Sequence, residues 1–379
     1  MFKVLLWDYT GISSEWCKKF LDMTDVEIVH TITPAETAPE ILLRRDVWDW
    51  LLIFEQGARQ FFDAALQLLK LPPDRVIYAF DIDSWLQRPK AFFAILNDME
   101  ELRKHFLLNE IRKLNVFATC TVEGMSYVSP SADMRVPHMF ISGSNWASRD
   151  MKRFHALAKQ YYGIDDGAGY FLDLGANIGT TGIYFTKKLA PNLKLLAFEP
   201  DPENFKMHRI NLMLNDIGDD KATVVNCGLG DKADELKMYR NLENPGANSF
   251  IKQDSGTPIA PVKIIPLDDY LAEHNIAARD VKYIWIDTEG FEAQVLLGAK
   301  NLLRENPAPL FVECNLGAWD KSGYFDDMMT LLAEGYSHFI LFEGKQTLYP
   351  LETLRTLKRS NTFFGRRGDI FLIRKGAVV

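Results

Sequence analysis

Cysteine is scarce: Cys17, Cys120, Cys227 and Cys314 are the only four in 379 residues, and none forms a C-x-x-C pair. That spacing excludes a disulfide framework and a zinc ribbon, and a reducing, cytoplasmic setting is expected. Long apolar runs are also missing. The opening Phe2-Lys3-Val4-Leu5-Leu6-Trp7 is broken by Asp8, short of the roughly 7–15 apolar residues of a signal peptide. No uncharged stretch approaches the roughly 18 residues of a membrane span. Neither export nor a membrane partner is expected. Basic residues are outnumbered, 43 Lys and Arg against 51 Asp and Glu, and the net charge of −8 repels a phosphate backbone, so nucleic acid is not an expected partner. The seven histidines include no HxH or HxxxH pair, which leaves a histidine metal site without support.

What is present is an ordinary globular composition, 47% hydrophobic and 25% charged, at a length that predicts two domains. Apolar runs at 4–7, 26–29, 50–54 and 75–80 read as strands. Helical spacing over 14–23, 35–45 and 58–71, and again over 81–113, makes residues 1–113 a small α/β domain on a parallel sheet. Its first strand-to-helix junction, Tyr9-Thr10-Gly11-Ile12-Ser13, is too poor in glycine to cradle a phosphate. A structural role, or binding of a protein partner or a second copy of the chain, is expected of it. Residues 114–150 are rich in Ser, Pro and Gly with irregular apolar spacing, which predicts a linker with a hairpin. A helix over 148–162 then opens a domain over 151–379. Its seven strands are expected at 170–172, 193–198, 224–225, 283–286, 310–312, 339–342 and 370–373. The fold class is therefore α/β, a doubly wound sheet ending in an antiparallel strand.

The chemistry concentrates where an apolar strand runs into a glycine turn and a helix, Phe171-Leu172-Asp173-Leu174-Gly175-Ala176-Asn177-Ile178-Gly179. Such a turn brings backbone amides close to a nucleotide-like ligand. The next strand ends in Phe198-Glu199-Pro200, which places an acid where ribose hydroxyls can donate to it. A dinucleotide fingerprint needs glycine at 175, 177 and 180, but Asn177 and Thr180 stand there, so a nicotinamide-dependent oxidoreductase is the weaker reading.

The series D-L-G-A-N-I-G (173–179), F-E-P-D-P-E-N-F (198–205), I-P-L-D-D-Y (265–270), I-D-T-E-G-F-E (286–292), V-L-L-G-A (295–299) and F-V-E-C-N (311–315) resembles the FkbM family of methyltransferases over about residues 150–379. The resemblance implies a Rossmann-like class I methyltransferase domain using S-adenosylmethionine, with S-adenosylhomocysteine as product. It also implies cofactor binding by Asp173, Gly175, Ala176, Asn177 and Gly179 at the first strand, by Glu199 and Pro200 at the second, and by Cys227 and Gly228 after the third. The chain departs from the family pattern at Trp285 and Thr288, which bears on the choice of acceptor.

Methyl transfer is an in-line displacement that depends chiefly on alignment, but a hydroxyl acceptor must also lose its proton. Asp287 and Glu289 at the end of the fourth strand and Glu313 at the fifth, with Asn315, are the candidates, all at the carboxyl edge of the sheet. The competing reading for the first two is a cap on the following helix. A divalent metal held by these acids, as in magnesium-dependent O-methyltransferases, ranks below direct proton transfer, so no metal ligand is assigned. His155 is a minor candidate base. The turn-rich 244–250 is either an acceptor-side loop or a plain hairpin turn. The expected acceptor is a small molecule or carbohydrate. The rival from another class is a catalytically silent scaffold that recruits a partner through its N-terminal domain.

Overall fold

The computed structural model describes residues 2–8, 26–33, 40–44, 46–47, 50–54, 65–67, 69–71, 76–78, 117–131, 133, 135–240, 248–250, 257–342, 347–357 and 368–377. The chain divides into two compact units, Met1–Leu114 and Asn115–Val379.

In the first unit, β1 (Phe2–Asp8), β2 (Val26–Ile32), β3 (Trp50–Phe54) and β4 (Val76–Tyr78) form a parallel sheet in the order β2-β1-β3-β4. Leu5, Ile32, Leu51, Ile53 and Val76 lie in its buried core. The helices expected over 14–23 and 81–113 lie outside the described residues, as do parts of those over 35–45 and 58–71.

The second unit begins with the hairpin β5 (Phe117–Val122) and β6 (Met125–Pro130), then α1 (Arg135–Ser142) and α2 (Ser148–Tyr162). The alternation of a wound sheet follows: β7 (Gly169–Leu174), α3 (Thr180–Tyr184), β8 (Leu193–Phe198), α4 (Pro202–Leu214) and β9 (Ala222–Val225). Short strands β10 (Gly228–Leu229), β11 (Asp234–Leu236), β12 (Tyr239–Arg240), β13 (Thr257–Pro258) and β14 (Val262–Ile265) come next. After α5 (Leu267–Glu273) the chain runs through β15 (Val281–Ile286), α6 (Glu292–Leu297), α7 (Lys300–Glu305), β16 (Leu310–Cys314), α8 (Leu316–Ser322) and α9 (Phe325–Gly335). It closes with β17 (Tyr336–Leu341), β18 (Leu348–Pro350), α10 (Thr353–Leu357) and β19 (Gly368–Arg374).

The main sheet has eight strands in the order β18-β17-β19-β16-β15-β7-β8-β9. Strands β16, β15, β7, β8 and β9 are parallel, while β19 runs antiparallel to both β16 and β17. This is the expected doubly wound α/β sheet ending in an antiparallel strand, with one added edge strand, β18. The chain order reverses between β7 and β15, where wound sheets open a ligand crevice. Side chains alternate between two buried layers: Leu172, Leu174, Ile284 and Ile286 on one face, Phe171, Tyr283, Trp285 and Phe311 on the other. Trp285 stacks on Phe311 with ring centroids 3.4 Å apart and takes the edge of Phe154 at 5.4 Å. It is a core residue, so its departure from the family pattern is absorbed by packing.

Residues 114–150 differ from the linker expected of them. The hairpin is there, turning through Glu123 (φ 52°) and Gly124 (φ 74°), which matches the twist of its strands. Its inward residues Cys120, Val122, Met125 and Tyr127 are buried together with Val136 and Met139 of α1 and Phe154 of α2. The irregular spacing arises because a two-residue strand period gives way to a helical one within twenty residues. Asn211 of α4 and Asn215, the residue that ends it, fasten β6. Asn211 accepts from the Val128 N–H (2.7 Å) and donates to the Val128 carbonyl (3.1 Å), and Asn215 does the same to Ser126 (3.1 and 2.7 Å). A fragment starting at residue 115 should therefore melt cooperatively, whereas one starting at 151 should aggregate, because it loses the apolar cover of Phe154. A cooperative melt of the shorter fragment would show the hairpin to be dispensable. Among the described residues no helix is long and apolar enough to cross a membrane.

Candidate functional site

The strand β7 hands over to its glycine turn under tight control from two neighbouring strands. The N–H groups of Gly175 and Ala176 both donate to the Phe198 carbonyl at the end of β8, at 3.0 Å each. Gly175 has φ 91°, and a Cβ there would lie 1.9 Å from the Asp287 carbonyl oxygen. The glycine is thus required by the backbone at the end of β15, a closer constraint than the ligand approach expected from the sequence. Asn177 takes a left-handed φ of 50°, and its side chain accepts from the Ile178 N–H (2.8 Å). Gly179 (φ 87°) leads into α3, where a Cβ would strike the buried His208 ring at 2.3 Å.

Glu199 braces this turn. Its Oε2 accepts from the Asn177 N–H (2.7 Å) and its Oε1 from the Asp201 N–H (2.8 Å), and the residue is buried. Burial pushes its carboxyl up to about 7, against the pull of those two N–H groups. Asp173 is buried behind the turn beside Gly182 and does not line the cleft. Burial, with the charges of Asp287 and Glu199 adding to it, raises its carboxyl to about 8. In the unfolded chain both acids ionise near pH 4. Between that pH and about 8 the folded state binds more protons than the unfolded one, so stability falls as pH rises through this window. The ligand-free protein should lose melting temperature steadily from pH 5 to 8.5, and the double variant Asp173→Asn, Glu199→Gln should flatten the slope. An unchanged slope would place the titration elsewhere.

On the facing edge, β15 ends with the Asp287 N–H donating to the Leu174 carbonyl (3.0 Å), and a tight turn follows through Glu289 (φ 52°) and Gly290 (φ 101°). The residue that shapes this turn is Glu292, which the sequence reading passed over. Fully buried, it accepts from the Thr288 N–H and Oγ1 (3.1 Å each) and the Gly290 N–H (2.8 Å) on one oxygen. Its other oxygen accepts from Trp319 Nε1 of α8 (2.8 Å). The signal was legible as Thr288 followed four residues later by Glu, a variant of the capping box. Glu292 thus takes the Thr288 and Gly290 amides of this turn itself. One carboxylate oxygen from each of Asp287, Glu289 and Glu313 lies within 4.8 Å of the others. Asn315 does not extend this set in the way expected: its Oδ1 caps α8 through the Ala318 N–H (3.1 Å).

A cleft with about 520 Å³ of open space brings Gly175, Asn177, Glu199, Pro200, Cys227, Gly228, Asp287 and Glu289 together. Ala176 and Gly179 shape the turn without lining it. Phe250 and Phe291, 5.1 Å apart, and Met238 add an apolar wall. Of the turn-rich 244–250, residues 244–247 lie outside the described residues, while Asn248 and Phe250 line the cleft. Asp201 secures that wall. It caps α4 through the Glu203 N–H (2.8 Å), pairs with both Arg240 Nη2 (2.6 Å) and Nε (2.9 Å), and accepts from Asn248 Nδ2 (2.9 Å). Ser249 Oγ donates to the Glu289 carbonyl (2.8 Å), joining the wall to the acidic turn. His155 lies elsewhere. Its Nε2 meets Asp166 (2.8 Å), which also accepts from Tyr283 (2.8 Å) and pairs with Lys159 (2.6 Å), ahead of the start of β7. That is the opposite edge of the sheet, and the histidine is no base for this cleft.

Residues 173–338 match the family described as Methyltransferase FkbM domain. Methyltransferase sdnD of Sordaria araneosa is 26% identical over 193 residues, covering 44% of this chain and 72% of that protein. Methyltransferase 1 of Beauveria bassiana is 30% identical over 147 residues, and the chain spans only 57% of that relative's length and 34% of its own in the match. Among solved structures, the Methyltransferase FkbM from Methylobacillus flagellatus is 12% identical, with 97% of this chain and 89% of that one covered at a TM-score of 0.38. The matched residues run from the acid beneath the glycine turn to the strand beyond the acidic cluster. The second unit thus carries the region that matches the Methyltransferase FkbM domain, and the chain is an enzyme of the methyltransferase class.

Proposed function

We propose that the cleft binds S-adenosylmethionine and that the chain methylates a hydroxyl on a small molecule or sugar. The observation that carries this reading is the opposition, across one cleft, of a turn braced by a buried acid and the carboxylates of Asp287 and Glu289, with Glu313 close by. The residues suit the cofactor. Each oxygen of Glu199 accepts one amide N–H and keeps a lone pair for a ribose hydroxyl, while Cys227, Gly228 and Phe250 offer an apolar slot for a purine.

Bound there, the cofactor supplies an electrophilic methyl group on a sulfonium. The chain does the rest. Glu199 and the glycine turn orient the donor, the Phe250–Phe291 wall excludes water, and Asp287 or Glu289 accepts the proton that leaves the acceptor hydroxyl as its oxygen attacks. The buried free thiols Cys120, Cys227 and Cys314 suit a reducing cytoplasm, and burial pushes the first two up to about 11, which keeps them protonated and inert. Calorimetric titration with S-adenosylhomocysteine and with NAD tests the donor, and release of S-adenosylhomocysteine from a panel of hydroxylated metabolites and glycans tests the acceptor. NAD binding without S-adenosylhomocysteine binding would overturn the reading.

A further inference from the structure

The hairpin that replaces the expected linker carries a guanidinium with unspent donors. Arg135, the first residue of α1, gives its backbone N–H (2.9 Å) and its Nε (3.2 Å) to one oxygen of Asp133. The Asp133 side chain is 2% exposed and that of Arg135 only 14%. Among the described residues neither terminal nitrogen of the guanidinium donates to an acceptor. Asp133 holds the stem, so the two terminal nitrogens form the free end of a rigid, largely desolvated fork. Unmet donors in that setting are costly, and the geometry of two parallel N–H groups matches a carboxylate or phosphate.

The hairpin that precedes this fork is tied to the glycine turn. Asn211 joins β6 to the glycine turn, donating to the carbonyls of both Val128 and Ile178 (3.1 and 2.8 Å). The positive charge of Arg135 is felt at the Glu199 carboxyl, where it opposes the upward push of burial. Glu199 is not itself the fork's partner: its two oxygens accept from the Asn177 and Asp201 amides.

We propose that Arg135 binds the α-carboxylate at the amino-acid end of the cofactor and so selects the complete cofactor over one lacking its amino acid. This rests on the cofactor reading above. The same fork could take a carboxylate or phosphate belonging to the acceptor, and the choice of ligands separates the two sources. The full chain is titrated calorimetrically with S-adenosylhomocysteine and with 5′-methylthioadenosine, which keeps the nucleoside and thioether but has no amino acid. Arg135→Gln should weaken S-adenosylhomocysteine binding by about 10- to 100-fold and leave 5′-methylthioadenosine binding unchanged. Arg135→Lys should recover part of the loss, since a lysine keeps the charge and loses the fork. Melting curves of both variants establish that they are folded. Undiminished S-adenosylhomocysteine affinity in folded Arg135→Gln overturns the proposal and assigns the fork to the acceptor, and equal loss of both ligands overturns it in favour of a role in the fold. A wild-type chain that binds neither ligand overturns the cofactor reading itself.

Discussion

Asp287→Asn and Glu289→Gln should each slow methyl transfer by about 10²–10⁴ while leaving S-adenosylhomocysteine affinity nearly intact, the usual loss when a positioned base is neutralised. The expectation rests on a division of labour within one turn. Glu292 accepts the amides of Thr288 and Gly290, so neutralising either neighbour leaves the turn standing. Both neighbours line the cleft, and their oxygens share a small volume with Glu313. Three carboxylates in such a space put several proton acceptors beside one point of the cleft. Treatment with EDTA separates this role from a metal-assisted one: direct proton transfer survives the chelator, whereas a metal site would lose activity and regain it with magnesium. Full turnover by both variants on the true acceptor would remove them from the chemistry.

Gly175→Ala should abolish measurable S-adenosylhomocysteine binding and lower the melting temperature by several degrees. The φ of 91° costs an L residue about 1–2 kcal/mol by itself, and the added methyl cannot coexist with the Asp287 carbonyl 1.9 Å away. The turn and the end of β15 must therefore separate, which spoils the donor cradle and the acidic turn together. Gly163→Ala is the matched control, also at positive φ (58°) but with nothing within 4 Å of the new methyl. It should show the backbone cost alone and bind normally. Equal behaviour of the two variants would refute the clash as the cause.

The glycine turn, its acid on β8 and the seven long strands were legible because each is local: a run of apolar residues at one period, ended by a residue type with few conformational alternatives. What escaped depends on partners far along the chain. β18 is three residues long and ends in Pro350, a weak strand signal whose place is an unpaired edge. Glu292 looked like another acid in a helical stretch, and its meaning appears only with Trp319 of α8 beside it. Asp201 stands in the sequence as one letter of a motif, and its bonds to Arg240 and Asn248 cross about 40 residues of chain. The hairpin at 117–130 was expected but its place in the core was not, because serines and prolines resemble loop chemistry when the helix that receives them lies about ninety residues downstream.

That reception has a geometric logic. Four residues of α-helix rise about 6 Å and two residues of strand about 6.8 Å. Asn211 and Asn215 therefore meet Val128 and Ser126 like teeth of nearly equal pitch, each presenting an amide in place of a peptide group. The helix impersonates a neighbouring strand. An open strand edge invites pairing with another chain, and here two side chains occupy it. A leucine at either position would take away the amide that meets the edge of β6.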